Sequence, residues 1–280
     1  MKNWTETWWN SLSRHRCHGI VKSRQQTRDT SVSGQYCLAG IPNFFCKYVT
    51  QLWFNKDHLH VTSLPSPWLI IFQVYKVHIL CENSKDPDVI KAQNLREDWK
   101  LHFHFLGRRM RYKDAFQYAS NNLLRRNVMI MNADCYVDKG FERLDESILN
   151  RKTMYALTRH ETPENKLLCK TRDFCGPKSH YMGSHDAFLF RLLVPLPSQL
   201  LDSIDYRPNI RGIEQVLIFY FKKYVQFDIR NPCKILYIVH HHCNLERNMT
   251  ERSIQGKRVD TYLHIKREKR RLYLSPFSGL

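Results

Sequence analysis

Val128-Met-Ile-Met-Asn132-Ala-Asp134-Cys-Tyr-Val-Asp138 joins a continuous apolar run to a group of oxygen-bearing side chains. Four consecutive apolar residues predict a short strand buried on both faces of a sheet. Polar groups at the carboxyl end of such a strand stand where open α/β sheets receive their ligands. Asn132, Asp134 and Asp138 are hard oxygen donors of the type that holds Mg²⁺ or Mn²⁺, and such an ion would in turn hold a diphosphate. Asp134 and Asp138 also fit simple turn residues.

Other residues offer complementary chemistry. Asp186 precedes an apolar strand, so its carboxylate is a candidate general base for a hydroxyl, or a group that only binds one. Ser184, His185 and Asp186 are sequence neighbours and do not constitute a hydrolase relay, which is assembled from distant segments. Glu214 follows Gly212 at a predicted helix start, where a carboxylate is favoured by the helix dipole whatever its function. A catalytic or acceptor-binding role is the sharper reading. Lys113 and Arg159 are candidates to neutralise a diphosphate. His240, His241 and His242 end an apolar strand, where alternate residues share a face. His240 and His242 therefore point together, as metal-ligand candidates, and His241 points away.

The elements that position these residues follow from periodicity. Strands are expected at Tyr48–Phe54, Leu69–Cys81, Lys100–Leu106, Val128–Met131, Lys152–Thr158, Ala187–Arg191, Val225–Ile229 and Ile235–Val239. Helices are expected within Lys85–Trp99, over Tyr112–Leu124, where Ala115, Phe116, Ala119 and Leu123 share a face, and over Ile213–Tyr224. Strands separated by helices predict right-handed βαβ units and a parallel sheet.

The 280 residues suffice for one sizeable core. Hydrophobic residues at 42% indicate a globular chain rather than a disordered one. Lysine and arginine exceed acids by 44 to 26, a net +18 that favours anionic partners. The nine cysteines are an odd number without a Cys-x-x-Cys pair, which excludes zinc-ribbon and thioredoxin motifs. Cys169 and Cys175 fit a disulfide in an oxidising compartment and equally fit free buried thiols. No apolar stretch is long enough to span a membrane.

Six blocks together resemble a GT-A glycosyltransferase. They are Arg111-Tyr-Lys-Asp-Ala-Phe116, Asn132-Ala-Asp134 with Asp138, Tyr155-Ala-Leu-Thr-Arg-His160, Gly183-Ser-His-Asp186 with Phe190, Gly212-Ile-Glu214, and Asn231-Pro232 followed by His240-His-His242. The resemblance covers roughly residues 70 to 250, and Asn132-x-Asp134 stands at the family's Asp-x-Asp position. It implies an α/β fold with a mostly parallel sheet and helices on both faces. It also implies sugar transfer from a nucleotide-diphosphate-sugar donor to a glycan, protein or lipid hydroxyl, assisted by Mn²⁺ or Mg²⁺. Asp134 would anchor the ion, helped by Asn132, Asp138 and a late histidine, His240 or His242. Asp186 and Glu214 would be catalytic; Lys113, Asn132 and Arg159 would hold the donor. The expected organisation is a poorly ordered segment 1–45, a transferase domain 46–265 and a basic tail 266–280. The rival readings are a catalytically inactive module of the same fold and a basic nucleic-acid-binding protein. The latter would lack a recognisable base-reading motif, so no specific nucleic acid is expected as partner.

Overall fold

The computed structural model describes residues 47–52, 74–91, 98–132, 135–168, 172–180, 183–240, 250–259 and 272–280. Asp134, His241 and His242 lie outside them, as do the expected segment 1–45, Cys169 and residues 266–271 of the expected basic tail.

The chain is α/β, with two mixed sheets. Its strands are β1 (Lys47–Leu52), β2 (Val74–Cys81), β3 (Leu101–Phe105), β4 (Asn127–Asn132), β5 (Cys135–Val137), β6 (Thr153–Leu157), β7 (His160–Glu161), β8 (Ala187–Arg191), β9 (Asp228–Arg230) and β10 (Ile238–His240). The larger sheet has seven strands in the order β3-β2-β1-β4-β8-β6-β9, and β5-β10-β7 form a second, three-stranded sheet. In the larger sheet β1 and β8 run against the other five strands. The expected mostly parallel sheet is therefore corrected: four of its six pairings are antiparallel. Strand direction escapes the sequence because a run buried on both faces reads the same either way. β8, between β4 and β6, is such a run.

The order reverses beside β1, which has β2 and β3 on one side and β4 on the other. One edge of the sheet thus collects the carboxyl ends of β2, β3, β4, β6 and β9 with the start of β8. Asn132, Asp186 and Thr158 all fall on that edge.

Alternation along the central strands divides the core in two. Val128, Ile130, Met154, Ala156, Phe188 and Phe190 face one way, onto α2 (Tyr112–Asn122), α5 (Ser198–Ser203) and α6 (Ile213–Val225). α1 (Asp86–Lys91) precedes these. Met129, Met131, Tyr155, Leu157, Ala187 and Leu189 face the other way. That face is covered by the small sheet, a 3-10 turn at Phe141–Arg143 and the short α3 (Glu146–Leu149), with α4 at Pro163–Leu168 nearby in sequence. Helices on both faces are thus only half realised: the long ones share one face, and a second sheet dominates the other.

Local signals set the helix ends. Asp114 accepts from the Arg111 N–H at 2.8 Å and closes the first turn of α2. Gly212, at φ +86°, turns the chain into α6, and Gln226, at φ +57°, ends it. That left-handed stop is why the expected strand Val225–Ile229 begins only at Asp228.

Residues 272–280 pack back onto the sheet. Ser275 is buried and its N–H donates to His185 Nε2 at 2.9 Å, while Asn231 bridges to Phe277. Cys175 is bonded to Cys233, so the expected Cys169–Cys175 bridge is corrected. Spacing of two cysteines says little about which loops the sheet brings together. Among the described residues no helix is long and apolar enough to cross a membrane.

Candidate functional site at the carboxyl edge

Six side chains from five segments join at the sheet edge. Asn132 ends β4, and its Nδ2 donates to Asp186 Oδ1 at 2.8 Å. Asp186 lies immediately before β8, where its backbone holds β4 and β6 together by accepting from Asn132 N and donating to Leu157 O, both at 2.9 Å. Arg159 follows β6 and donates from one terminal nitrogen to Asp186 Oδ1 at 2.8 Å and Ser184 Oγ at 3.3 Å. Its Nε donates to Glu161 Oε1 on β7 at 2.9 Å. Glu161 Oε2 lies 2.9 Å from Nδ1 of His240, its neighbour across the β7–β10 pairing. Ser184 Oγ donates to Asp186 Oδ2 at 2.7 Å. The result is a chain of amide, carboxylate, guanidinium, carboxylate and imidazole with opposite charges alternating.

Burial makes these contacts matter. The Arg159 side chain is 13% exposed, Asp186 6% and Glu161 1%. Burial alone would pull Arg159 down, but the charges of Asp186 and Glu161 outweigh it and hold the guanidinium more firmly protonated. Burial likewise pushes Glu161 up, yet His240 and Arg159 overcome it and leave the carboxyl below its ordinary value. An ionised Glu161 only accepts, so His240 Nδ1 carries the shared proton.

This gives a pH expectation. A lowered carboxyl pKa stabilises the fold fully above the unfolded value of 4.5 and progressively less as pH falls through the folded value. The urea midpoint of wild type should fall steeply below that point. Glu161→Gln should start lower at neutral pH and fall less on acidification; parallel profiles would show that the carboxylate carries no folded-state preference.

A second set of bonds fixes the edge mechanically. Buried Asn231, just after β9, accepts from Thr158 N at 3.2 Å and donates to Thr158 Oγ1 at 3.0 Å. His185 is fully buried; its burial, only partly opposed by the charge of Asp186, lowers it to about 4. It is a neutral acceptor for Ser275, not a reacting group. His185 is thus tied to Ser275, whereas Ser184 and Asp186 bond each other and share Arg159.

Asn132, Arg159, Asp186 and His240 are therefore brought together among the sequence candidates. Glu214 lies in the first turn of α6. Buried Tyr112 is raised well above its ordinary value, by its burial first and then by the charges of Glu214 and Asp186. Lys113 instead pairs with Asp202 at 2.7 Å on the α2–α5 surface. Asp138 sits past the far end of β5, roughly 10 Å along the strand from Cys135, with Lys139, His160 and Glu142 as its charged neighbours. Burial raises its carboxyl. Glu161 and Ser184 were missed as candidates. Glu161 directly follows the Arg159-His160 block, and a carboxylate two residues from an arginine on a strand shares its face.

Among the described residues no three His, Cys, Asp or Glu side chains group as a metal shell. Glu161 and Asp186 are engaged with Arg159, and His240 is held through Nδ1 by Glu161. These residues do not by themselves fit a divalent cation; Asp134 and His242 are outside the description.

No family model matches the chain, and neither a curated protein nor a solved structure matches it.

Proposed function

We propose that the chain is a GT-A-type transferase that moves a sugar from a nucleotide-diphosphate-sugar donor to a hydroxyl acceptor. One observation carries this reading: Asn132, Arg159, Asp186 and His240 meet at the carboxyl edge, close to the β1–β4 junction where strand order reverses. Open α/β sheets bind their ligands at such a junction. Asp186 suits the base of an inverting transfer. Oδ1 takes Asn132 and Arg159 while Oδ2 takes Ser184, so among the described partners Oδ2 keeps a lone-pair position for an acceptor hydroxyl. Glu214, in the first turn of α6, suits acceptor binding. Arg159 would approach the diphosphate only by loosening one of its carboxylates. The Mn²⁺ or Mg²⁺ requirement belongs to Asp134 with Asn132 and a late histidine.

A second reading has its own observation. The cluster's charges already pair with one another, which suits a non-catalytic module that keeps the sheet and its edge.

The deciding experiment is thermal unfolding of the whole chain with nucleoside diphosphates and nucleotide-sugars, with and without Mn²⁺. A ligand at 100 times its Kd stabilises the folded state by about 2.7 kcal/mol. The expected result is a Mn²⁺-dependent upward shift with one nucleotide, lost in Asp134→Ala. A shift accompanied by no sugar transfer or donor hydrolysis would favour the non-catalytic module. Cooperative melting with no shift for any nucleotide would overturn both as nucleotide sites.

A further inference from the structure

Away from the cluster, His78 on β2 and His102 and His104 on β3 form a second group. The parallel register sets His78 opposite His102 and Leu80 opposite His104, so all three imidazoles share the face that α2 covers. Tyr118 of α2 completes the group. His78 Nδ1 and His104 Nε2 are 3.2 Å apart, and the Tyr118 hydroxyl lies 2.9 Å from the first and 2.8 Å from the second. The His102 ring is stacked on His78 at 5.2 Å.

Three donor atoms converging in this way have the spacing of a coordination face. Nitrogen ligands about 2.0–2.1 Å from a tetrahedral ion stand roughly 3.3 Å apart. The two imidazole nitrogens match that separation, and the phenol oxygen is within a few tenths of an ångström of it. His78 Nε2 is buried without a hydrogen-bond partner, so nothing on that side of the ring dictates which nitrogen carries the proton. His78 is buried, whereas His102, His104 and Tyr118 are half-buried, which leaves an ion a path from solvent.

We propose that His78 Nδ1 and His104 Nε2, with the Tyr118 hydroxyl as third donor, form a Zn²⁺ site distinct from the carboxyl-edge cluster. Zinc suits two imidazoles and one oxygen, with water in the fourth position. Lys76 works against the ion, and Lys76→Gln should tighten binding.

The test is Zn²⁺ titration of the chelator-treated whole chain, with Co²⁺ absorption as the optical probe. The chain has 14 histidines, so weak sites elsewhere are expected and identity rests on variants. Loss of an outer-shell partner alone weakens a metal site roughly 10- to 100-fold, and His104→Gln should cost at least that much. Asp134→Ala and His240→Gln should leave the same equivalent in place. Equal affinity in wild type and His104→Gln, or no Zn²⁺ binding by folded wild type, would overturn the site. If His104→Gln does not melt cooperatively, Tyr118→Phe decides: a shifted Co²⁺ spectrum supports the site, and an unchanged one overturns it.

Discussion

Replacing Arg159 with methionine should destabilise the fold by about 3–5 kcal/mol, the usual cost of removing one partner from a buried ion pair. Arg159 is the only described cation joined to both Asp186 and Glu161. Methionine fills much of the same volume, so the loss is electrostatic rather than a cavity. Two carboxylates would be left with neutral or shared partners: Asn132 and Ser184 on one, His240 on the other. Burying an uncompensated charge is expensive, and protonation of one carboxyl is the cheapest escape. Stability of the variant should therefore recover partly on mild acidification, opposite to wild type. Arg159→Lys should fall between, because an ammonium is a point charge without the planar fork that bonds two carboxylates at once. Urea unfolding at neutral and mildly acidic pH measures both effects. A neutral-pH loss below about 0.5 kcal/mol, typical of a surface change, would show that solvent already screens the network.

The residues of that network were legible to different depths. β4 stood out because four apolar residues end abruptly at Asn132, and β8 was expected at Ala187–Arg191, the span observed. α2 and α6 were expected almost to their ends, since each carries a continuous apolar stripe. What failed were properties that no local pattern encodes. The directions of β1 and β8 depend on where long connections return the chain. The second sheet is built from strands of two or three residues, too short to show a period. Ile235–Val239 was read as one strand, but Ile235 and Leu236 form a turn bonded to Pro232 and only Ile238–His240 is extended. Site legibility follows the same rule. Asn132 and Asp186 announce themselves at strand ends, whereas Glu161 acts only because β7 lies beside β10. Lys113 looked like a phosphate ligand by charge alone; Asp202, far along the chain, takes it instead.

Phe116→Ala should destabilise by about 3–5 kcal/mol through loss of buried ring surface and the cavity left behind. Phe116 is fully buried on α2, at 4.8 Å from the Phe221 ring of α6, 5.4 Å from Phe190 and 6.2 Å from Phe188 of β8. It therefore ties the two long helices to the centre of the sheet, and the rings around it cannot close over the void without moving a strand that carries Asp186 at its start. The smaller change Phe116→Leu keeps most of the volume and should cost less than about 1.5 kcal/mol. The two kinds of destabilisation are separable by acid. Phe116→Ala removes no charge, so its urea midpoint should fall by a nearly constant amount from neutral pH to pH 4. The Arg159 deficit should shrink over the same range, because protons replace the missing cation. If Phe116→Ala also altered the acid profile, the carboxyl-edge network would be set by helix packing and not by its own hydrogen bonds. Asp186 would then be placed by the aromatic core beneath it.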